Sequence, residues 1–238
     1  MPDAMFAHPR LAPLYDAFEA DRGDLPAYVD IADELGAARV LDVGCGTGTL
    51  AILLEETGRT VVGTDPAEAS LAVARSKDSS ARIVWVRCEA TILPTVAADL
   101  AVMTGNVAQV FTTDEEWTRV LLSVRAALRP GTHVVFETRK PERRAWERWP
   151  GTASVELPGV GRVARHDELT DVSPPLISFR STYRFAGGEE LVSDSTLRFR
   201  SREEIETTLD EAGFEVREVR EAPNRPDEEH VFIARRAD

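Results

Sequence analysis

The segment Val40-Leu41-Asp42-Val43-Gly44-Cys45-Gly46-Thr47-Gly48-Thr49 runs from an apolar stretch into a glycine-rich bend. Glycine takes backbone shapes that other residues resist, and it lets a ligand approach the main chain closely. A helix starting at such a bend offers free N–H groups. The bend therefore suits a nucleotide-like ligand. Gly46 to Ala51 read GTGTLA, a G-x-G-x-x-A string compatible with a dinucleotide. Counted from Gly44, however, the third glycine position holds Thr49. Asp42 stands two residues before the first glycine, where its carboxylate would repel a pyrophosphate. Two further acids, Asp65 and Glu89, sit where the next two strands should end. Asp65 can accept from ribose hydroxyls, and Glu89 from an adenine amino group. Three carboxylates around one glycine bend favour an adenosine carrying an ammonium and a cationic sulfur, as S-adenosylmethionine does.

These residues need a scaffold of alternating strands and helices. Short apolar strands are expected at 38–43, 60–64, 82–87, 99–104 and 132–137, with helices at 48–57, 66–77 and 114–128 between them. Pro66 can start its helix, Asp24 can cap a helix over 24–36, and Leu11, Leu14, Tyr15 and Phe18 fall at helical spacing over 9–20. Arg129-Pro130-Gly131 reads as a breaker before the fifth strand. This rhythm implies right-handed crossovers and a doubly wound, mostly parallel α/β sheet. Over residues 151–200 the pattern becomes a period-two alternation, punctuated by Pro158-Gly159, Pro174-Pro175 and Gly187-Gly188. That is an antiparallel meander inserted into the α/β domain. Ser201 and Glu204 form a capping-box pattern for a helix ending at Gly213, and two last strands follow. The expected organisation is a helical N-terminal lid (1–36), an α/β domain (37–150 and 201–238) and the β insertion (151–200).

Composition narrows the partners. The 238 residues include 41 acids and 28 Lys or Arg, a formal charge of −13. Such a surface repels phosphate backbones and anionic membranes, so neither is an expected partner. There is no apolar run long enough for a spanning helix and no secretory signal. Cys45 and Cys88 are the two cysteines, without CxxC spacing, which fits a cytoplasmic protein. The four histidines form no metal-binding pair, so no metal is expected.

VLDVGCGTG closely resembles the first motif of class I S-adenosylmethionine-dependent methyltransferases. GTDPAEASLAVAR resembles their second motif, CEATILP their acid-Ala segment, with Glu89 replacing the more frequent Asp, and LRPGTHVVFE their fifth-strand segment. The similarity covers roughly residues 37–137 and 201–236. It implies a seven-stranded sheet of order 3-2-1-4-5-7-6 with the seventh strand antiparallel. It also implies S-adenosyl-L-methionine as cofactor. Carried over, Gly44, Gly46 and Gly48 would line the methionine side, Asp65 would hold the ribose, and Glu89 with Ala90 the adenine. Asp42, Cys45, Pro66 and Thr104 complete the expected cofactor contacts, with Tyr15 closing over the ligand and Arg22 pairing with its carboxylate. The helical front and the meander are also similar to small-molecule N-methyltransferases of sugar nucleotides.

Ligands of open parallel sheets bind beyond the carboxyl ends of the strands. Asn106 and Gln109, after the fourth strand, and Arg139 and Trp146, after the fifth, are therefore expected to meet a small-molecule acceptor with an N or O nucleophile. The catalytic residue stays open, with His8, His166 and Glu137 as candidate bases. Trp117 belongs to the core. An exposed meander edge would allow pairing across a dimer axis. Two other readings remain: an NAD(P)-dependent oxidoreductase using GTGTLA, and a non-catalytic nucleoside-binding module.

Overall fold

The computed structural model describes residues 1–20 and 22–238. Three short helices open the chain: α1 Ala4–Ala7, α2 Tyr15–Phe18 and α3 Leu25–Glu34. There follow β1 Arg39–Val43, α4 Thr49–Glu56, β2 Thr60–Asp65, α5 Glu68–Lys77, β3 Val84–Arg87, β4 Ala98–Met103, α6 Asp114–Ala127 and β5 Leu128–Arg139. The meander strands are β6 Gly151–Leu157, β7 Gly161–Ser173, β8 Leu176–Phe185 and β9 Glu190–Arg198. α7 Arg202–Glu211, β10 Phe214–Ala222 and β11 Arg225–Arg236 complete the fold.

The main sheet has the order β3-β2-β1-β4-β5-β11-β10. Strands β1 to β5 are parallel to their neighbours, and β11 runs antiparallel to both β5 and β10. This is the expected order, with β11 as the reversed strand. Side chains alternate across each strand. Leu41 and Val43 face a core shared with Trp117, Val120 and Leu121 of α6 and Ile205 and Leu209 of α7. Val40 faces the opposite core, with Leu50 and Leu54 of α4 and Tyr28 and Ile31 of α3. β1 is thus buried on both faces, and its carboxyl end opens between two helical layers. Trp117 is fully buried, edge-on to Phe136 with ring centroids 5.6 Å apart.

The expected boundaries shift where local chemistry intervenes. Of the two helices expected at the front, 24–36 forms as α3, but 9–20 is not one helix. Pro9 and Pro13 lack N–H groups, and residues 9–20 form a 3-10 turn at Ala12–Leu14 followed by the short α2. Asp24 makes no cap, because its carboxylate is paired with Arg22. Pro130-Gly131 does not break the chain ahead of β5. It lies inside β5 as a bulge, with Gly131 at φ +78° and a register shift between Ala98–Leu128 and Leu100–His133. β3 starts at Val84 rather than Arg82, after a turn in which Asp78 Oδ1 accepts the Ala81 N–H at 2.9 Å. The meander forms as expected, and the Ser201–Glu204 capping box is complete.

Two small cores join the insertion to the rest. Met5, Leu11 and Leu14 pack on Val163, Tyr183 and Phe185. Trp146 packs on Ile177 and Phe199. The N-terminal segment is therefore held on the meander. Among the described residues, no helix is long and apolar enough to cross a membrane.

Gly48, before α4, has φ +80°, and an added Cβ would lie 2.5 Å from Trp85 Cη2 and 2.8 Å from Ala74 Cβ. Gly48→Ala should lower stability by about 2–4 kcal/mol through backbone strain and overpacking. Denaturant unfolding checks this; an unchanged midpoint contradicts the account.

Candidate cofactor site

The glycine bend is built by backbone bonds to β2. The N–H groups of Gly44 and Cys45 both donate to the Thr64 carbonyl, at 2.8 and 3.0 Å. They extend the β1–β2 pairing past the strand end. Gly44, Gly46 and Gly48 all have positive φ. At Gly44 a Cβ would come within 2.6 Å of Val107 Cγ2, so the bend also packs against the segment after β4. Gly46 differs: a Cβ there would meet nothing within 4 Å. Its main chain faces open space that a ligand can approach.

Asp65 holds this bend. Its Oδ2 accepts the Gly46 N–H at 2.9 Å, and its Oδ1 accepts the Ala67 N–H at 2.8 Å. The carboxylate thus fixes the loop and turns the chain toward α5. Burial raises its pKa, while the two amides pull it back. Asp42 is buried, and its Oδ2 has no hydrogen-bond partner. Burial pushes its pKa up to about 7; Arg22 opposes the rise and Asp65 adds to it. A buried carboxylate oxygen without a partner calls for a donor from a ligand.

Both acids line one cavity of about 220 Å³. Gly44, Cys45, Gly46, Pro66 and Thr104 line it from the sheet, and Tyr15 and Arg22 from the front. These expected contacts are brought together. Glu89 is exposed and lies outside the lining, though its charge acts on Asp65. Ala90 packs against the α6-side core, and Gly48 packs against Trp85 and Ala74. None of these three lines the cavity. Arg22 is committed to Asp24 through Nε and Nη2, at 3.0 and 2.9 Å. The residues fit S-adenosylmethionine: Asp42 offers an acceptor to an ammonium or hydroxyl, and Gly46 offers an open main chain. They fit a pyrophosphate poorly, since three acids, Asp3 and the buried Asp42 and Asp65, line the space.

The front of the cavity is fastened by residues the sequence did not single out. Asp16, next to Tyr15, accepts from Thr47 Oγ1 at 2.5 Å and from Lys77 Nζ at 2.6 Å. Lys77 also donates to Thr49 Oγ1 at 3.1 Å. α2 is thereby tied over the glycine bend. The available signal was an acid beside an aromatic residue in the front segment, facing a lysine at the end of α5.

A second, polar chamber of about 70 Å³ shares Tyr15, Arg22 and Gly105 with the first. Asn106, Arg139, Glu137 and Glu229 line it. Gln109 and Trp146 do not. Gln109 is buried, donates to the Arg198 carbonyl at 3.3 Å and accepts from Arg139 Nη1 at 3.2 Å, so it supports Arg139 instead. Trp146 is buried edge-on against Phe199, with centroids 4.7 Å apart. Glu137 is not a free base. Its Oε1 accepts the N–H groups of Gly105 and Asn106 at 2.7 and 3.1 Å, and its Oε2 accepts a short bond from the Tyr28 hydroxyl. His8 and His166 border neither space. Asp24, Tyr28 and Glu229 were missed because helix and strand ends far apart in sequence bring them together; Glu229 is in register with Arg139 across β11 and β5.

Residues 40–131 match the methyltransferase domain family. The demethylmenaquinone methyltransferase of Thermus thermophilus is 36% identical over 146 residues, covering 57% of this chain and 66% of that protein. The chain thus spans just under two thirds of that relative. Among solved structures, an S-adenosylmethionine-dependent methyltransferase from Clostridium acetobutylicum is similar with a TM-score of 0.79 over 96% of this chain and 98% of its own; at 15% identity this speaks for the fold alone. An amino pentose methyltransferase from Micromonospora echinaspora, solved with S-adenosylmethionine bound, is 25% identical with a TM-score of 0.72, over 94% of this chain and 97% of its own. The glycine bend, the sheet order and these likenesses agree: residues 40–131 carry a methyltransferase domain, on the fold of class I S-adenosylmethionine-dependent methyltransferases.

Proposed function

We propose that this protein transfers a methyl group from S-adenosylmethionine to a nitrogen or oxygen nucleophile of a small molecule. The observation that carries the reading is the pair of buried acids, Asp42 and Asp65, lining one cavity beside an open glycine main chain. When bound, the cofactor supplies a methyl carbon already activated by a cationic sulfur. Asp42 receives its ammonium, Asp65 its ribose hydroxyls, and Tyr15 closes the front. Arg22 lies between the two spaces and steadies the carboxylate end. The chain has mainly to align two reactants and exclude water. Gly105, just after β4, lines both the cofactor cavity and the second chamber, where the acceptor would sit.

The division of labour follows the packing. The segment 1–36 serves as a lid, tied down by Asp16, and the meander 151–200 backs it through Val163, Tyr183 and Phe185. Residues 37–150 and 201–238 form the binding domain. The relatives' names speak of a demethylmenaquinone and an amino pentose, which supports a small acceptor rather than a nucleic acid. The charge of −13 agrees. Two free cysteines fit a cytoplasmic setting. The acids lining the cavity, Asp3, Asp42 and Asp65, weigh against a nicotinamide dinucleotide.

Two outcomes test this reading. Asp65→Ala removes the ribose acceptor and both backbone ties, so S-adenosylmethionine should bind about 10–100-fold more weakly, a loss of about 1.4–2.7 kcal/mol. Calorimetry with an unchanged dissociation constant would count against the assignment. Asp42 titrates near 7 when folded, against a usual value of 3.8. The folded state therefore binds the extra proton between these values, and this group's contribution to stability falls as pH rises through that window. An ammonium ligand needs the ionised form, so cofactor affinity should rise from pH 5 toward about 7 and level off above it. In Asp42→Asn binding should be weak and this rise should vanish; an identical pH profile in wild type and variant contradicts the role.

A further inference from the structure

Three acids line the cofactor cavity, and Asp42 and Asp65 have tasks there. Asp3 has none. It stands before α1, yet its side chain makes no cap. Its carbonyl does that work, accepting the N–H groups of Phe6 and Ala7 at 3.0 and 2.9 Å. The carboxyl group turns to the meander, where Oδ2 accepts from Ser195 Oγ at 2.5 Å. Its Oδ1 takes no hydrogen bond among the described residues. Burial raises its pKa, and a donor at that oxygen would pull it back. The segment that carries Asp3 is held from two sides. Met5 N–H donates to Ser193 Oγ of β9 at 2.9 Å, and Ser70 Oγ of α5 donates to the Phe6 carbonyl at 3.0 Å. It is thereby fixed between the meander and the crossover that follows Asp65.

A ribose at Asp65 limits where its base can go. Base and methionine chain leave the ribose from opposite sides, and the methionine chain runs to Asp42. Of the lining that remains, Phe6, Pro66, Val107 and Val110 offer apolar surface to a flat ring. The hydroxyls of Thr47, Thr49 and Thr196 are engaged with Asp16, Lys77 and Ser178. Asp3 is the remaining acid in the lining. Glu89, the acid after β3, is exposed and outside it. An ionised carboxylate only accepts, and the exocyclic amino group of adenine is a donor, so the two are matched.

We propose that Asp3 reads the base of the bound cofactor, its Oδ1 accepting a hydrogen bond from the exocyclic amino group of adenine. The inference rests on the methyl-transfer reading above, and it moves to the N-terminal segment a task that the family resemblance gives to Glu89. An ionised acceptor makes the stronger kind of hydrogen bond. Because Ser195 holds the other oxygen, base recognition draws the N-terminal segment and the meander onto one ligand. Selectivity for the base therefore depends on a residue remote from β3 in the sequence and carried outside the main sheet.

Two ligands that differ only at that amino group test the assignment: S-adenosylhomocysteine and its desamino analogue, with hydrogen in place of the amino group. Both are titrated calorimetrically into the full chain, with any tag kept at the carboxyl end. Wild type should prefer S-adenosylhomocysteine by about 10-fold, about 1.4 kcal/mol. Asp3→Ala should bring the two ligands to parity. Asp3→Asn, which keeps a neutral acceptor, should leave a preference of about 3-fold. Glu89→Ala should keep the wild-type ratio. A merely structural role for Asp3 weakens both ligands by the same factor, so an undiminished ratio in the Asp3 variants overturns the proposal. Loss of the preference in Glu89→Ala overturns it too. If Asp3→Ala binds neither ligand, the ratio in Asp3→Asn decides. If wild type fails to bind S-adenosylhomocysteine, the methyl-transfer reading itself fails; if it binds both ligands equally, only this inference falls.

Discussion

One carboxylate holds the site in shape. Asp65, at the end of β2, joins the Gly46 amide to the Ala67 amide, and so clamps the glycine bend to the start of the next crossover. Gly44 and Gly48 are held by Thr64, Val107 and Trp85, but the Gly46 corner, where a Cβ would meet nothing, depends on that grip. The openness that admits a ligand is the same openness that leaves the bend in need of a clamp. Asp42 supplies the complementary feature. It sits one strand over, facing the α3–α4 layer, buried and with one oxygen unpartnered. Such a group is costly in the empty site and becomes favourable when a cationic donor arrives.

The rest of the molecule arranges access to this pair. Asp16 fastens the short front helices to Thr47 and Lys77, and the front helices in turn pack on the meander. The meander is therefore part of the wall that the N-terminal segment leans on. On the other side, Glu137 reaches from β5 to the loop after β4, and Tyr28 reaches from α3 to Glu137. The ends of β4 and β5 and the helix α3 are thus coupled by one carboxylate in addition to their apolar packing. That is consistent with the acidic composition.

Much of this was legible in the sequence. The alternating rhythm implied a mostly parallel sheet, the family resemblance of the first motif implied its strand order, and the meander followed from its period-two alternation. Asp42, Asp65, the open glycine and Tyr15 were visible as residue types at strand ends and on the front segment. What failed had local causes. Prolines at 9 and 13 broke up the helix expected over 9–20, and Pro130-Gly131 made a bulge rather than a stop. Glu89 and Ala90 follow a short edge strand, and the cavity does not extend to them. Gln109, Trp146 and Glu137 looked free because their partners, Arg198, Phe199 and Tyr28, lie far away in sequence. A residue type at a strand end signals a role, but its partner decides whether that role is taken by the ligand or by the protein.

The central claim is that two buried carboxylates make this cavity a seat for a cationic nucleoside and not for a diphosphate. The most direct measurement is calorimetric titration of the intact chain with S-adenosylmethionine and, separately, with NADH. The account predicts saturable binding of the first at one site per chain and no binding heat from the second. Saturable binding of NADH with none for S-adenosylmethionine would contradict it.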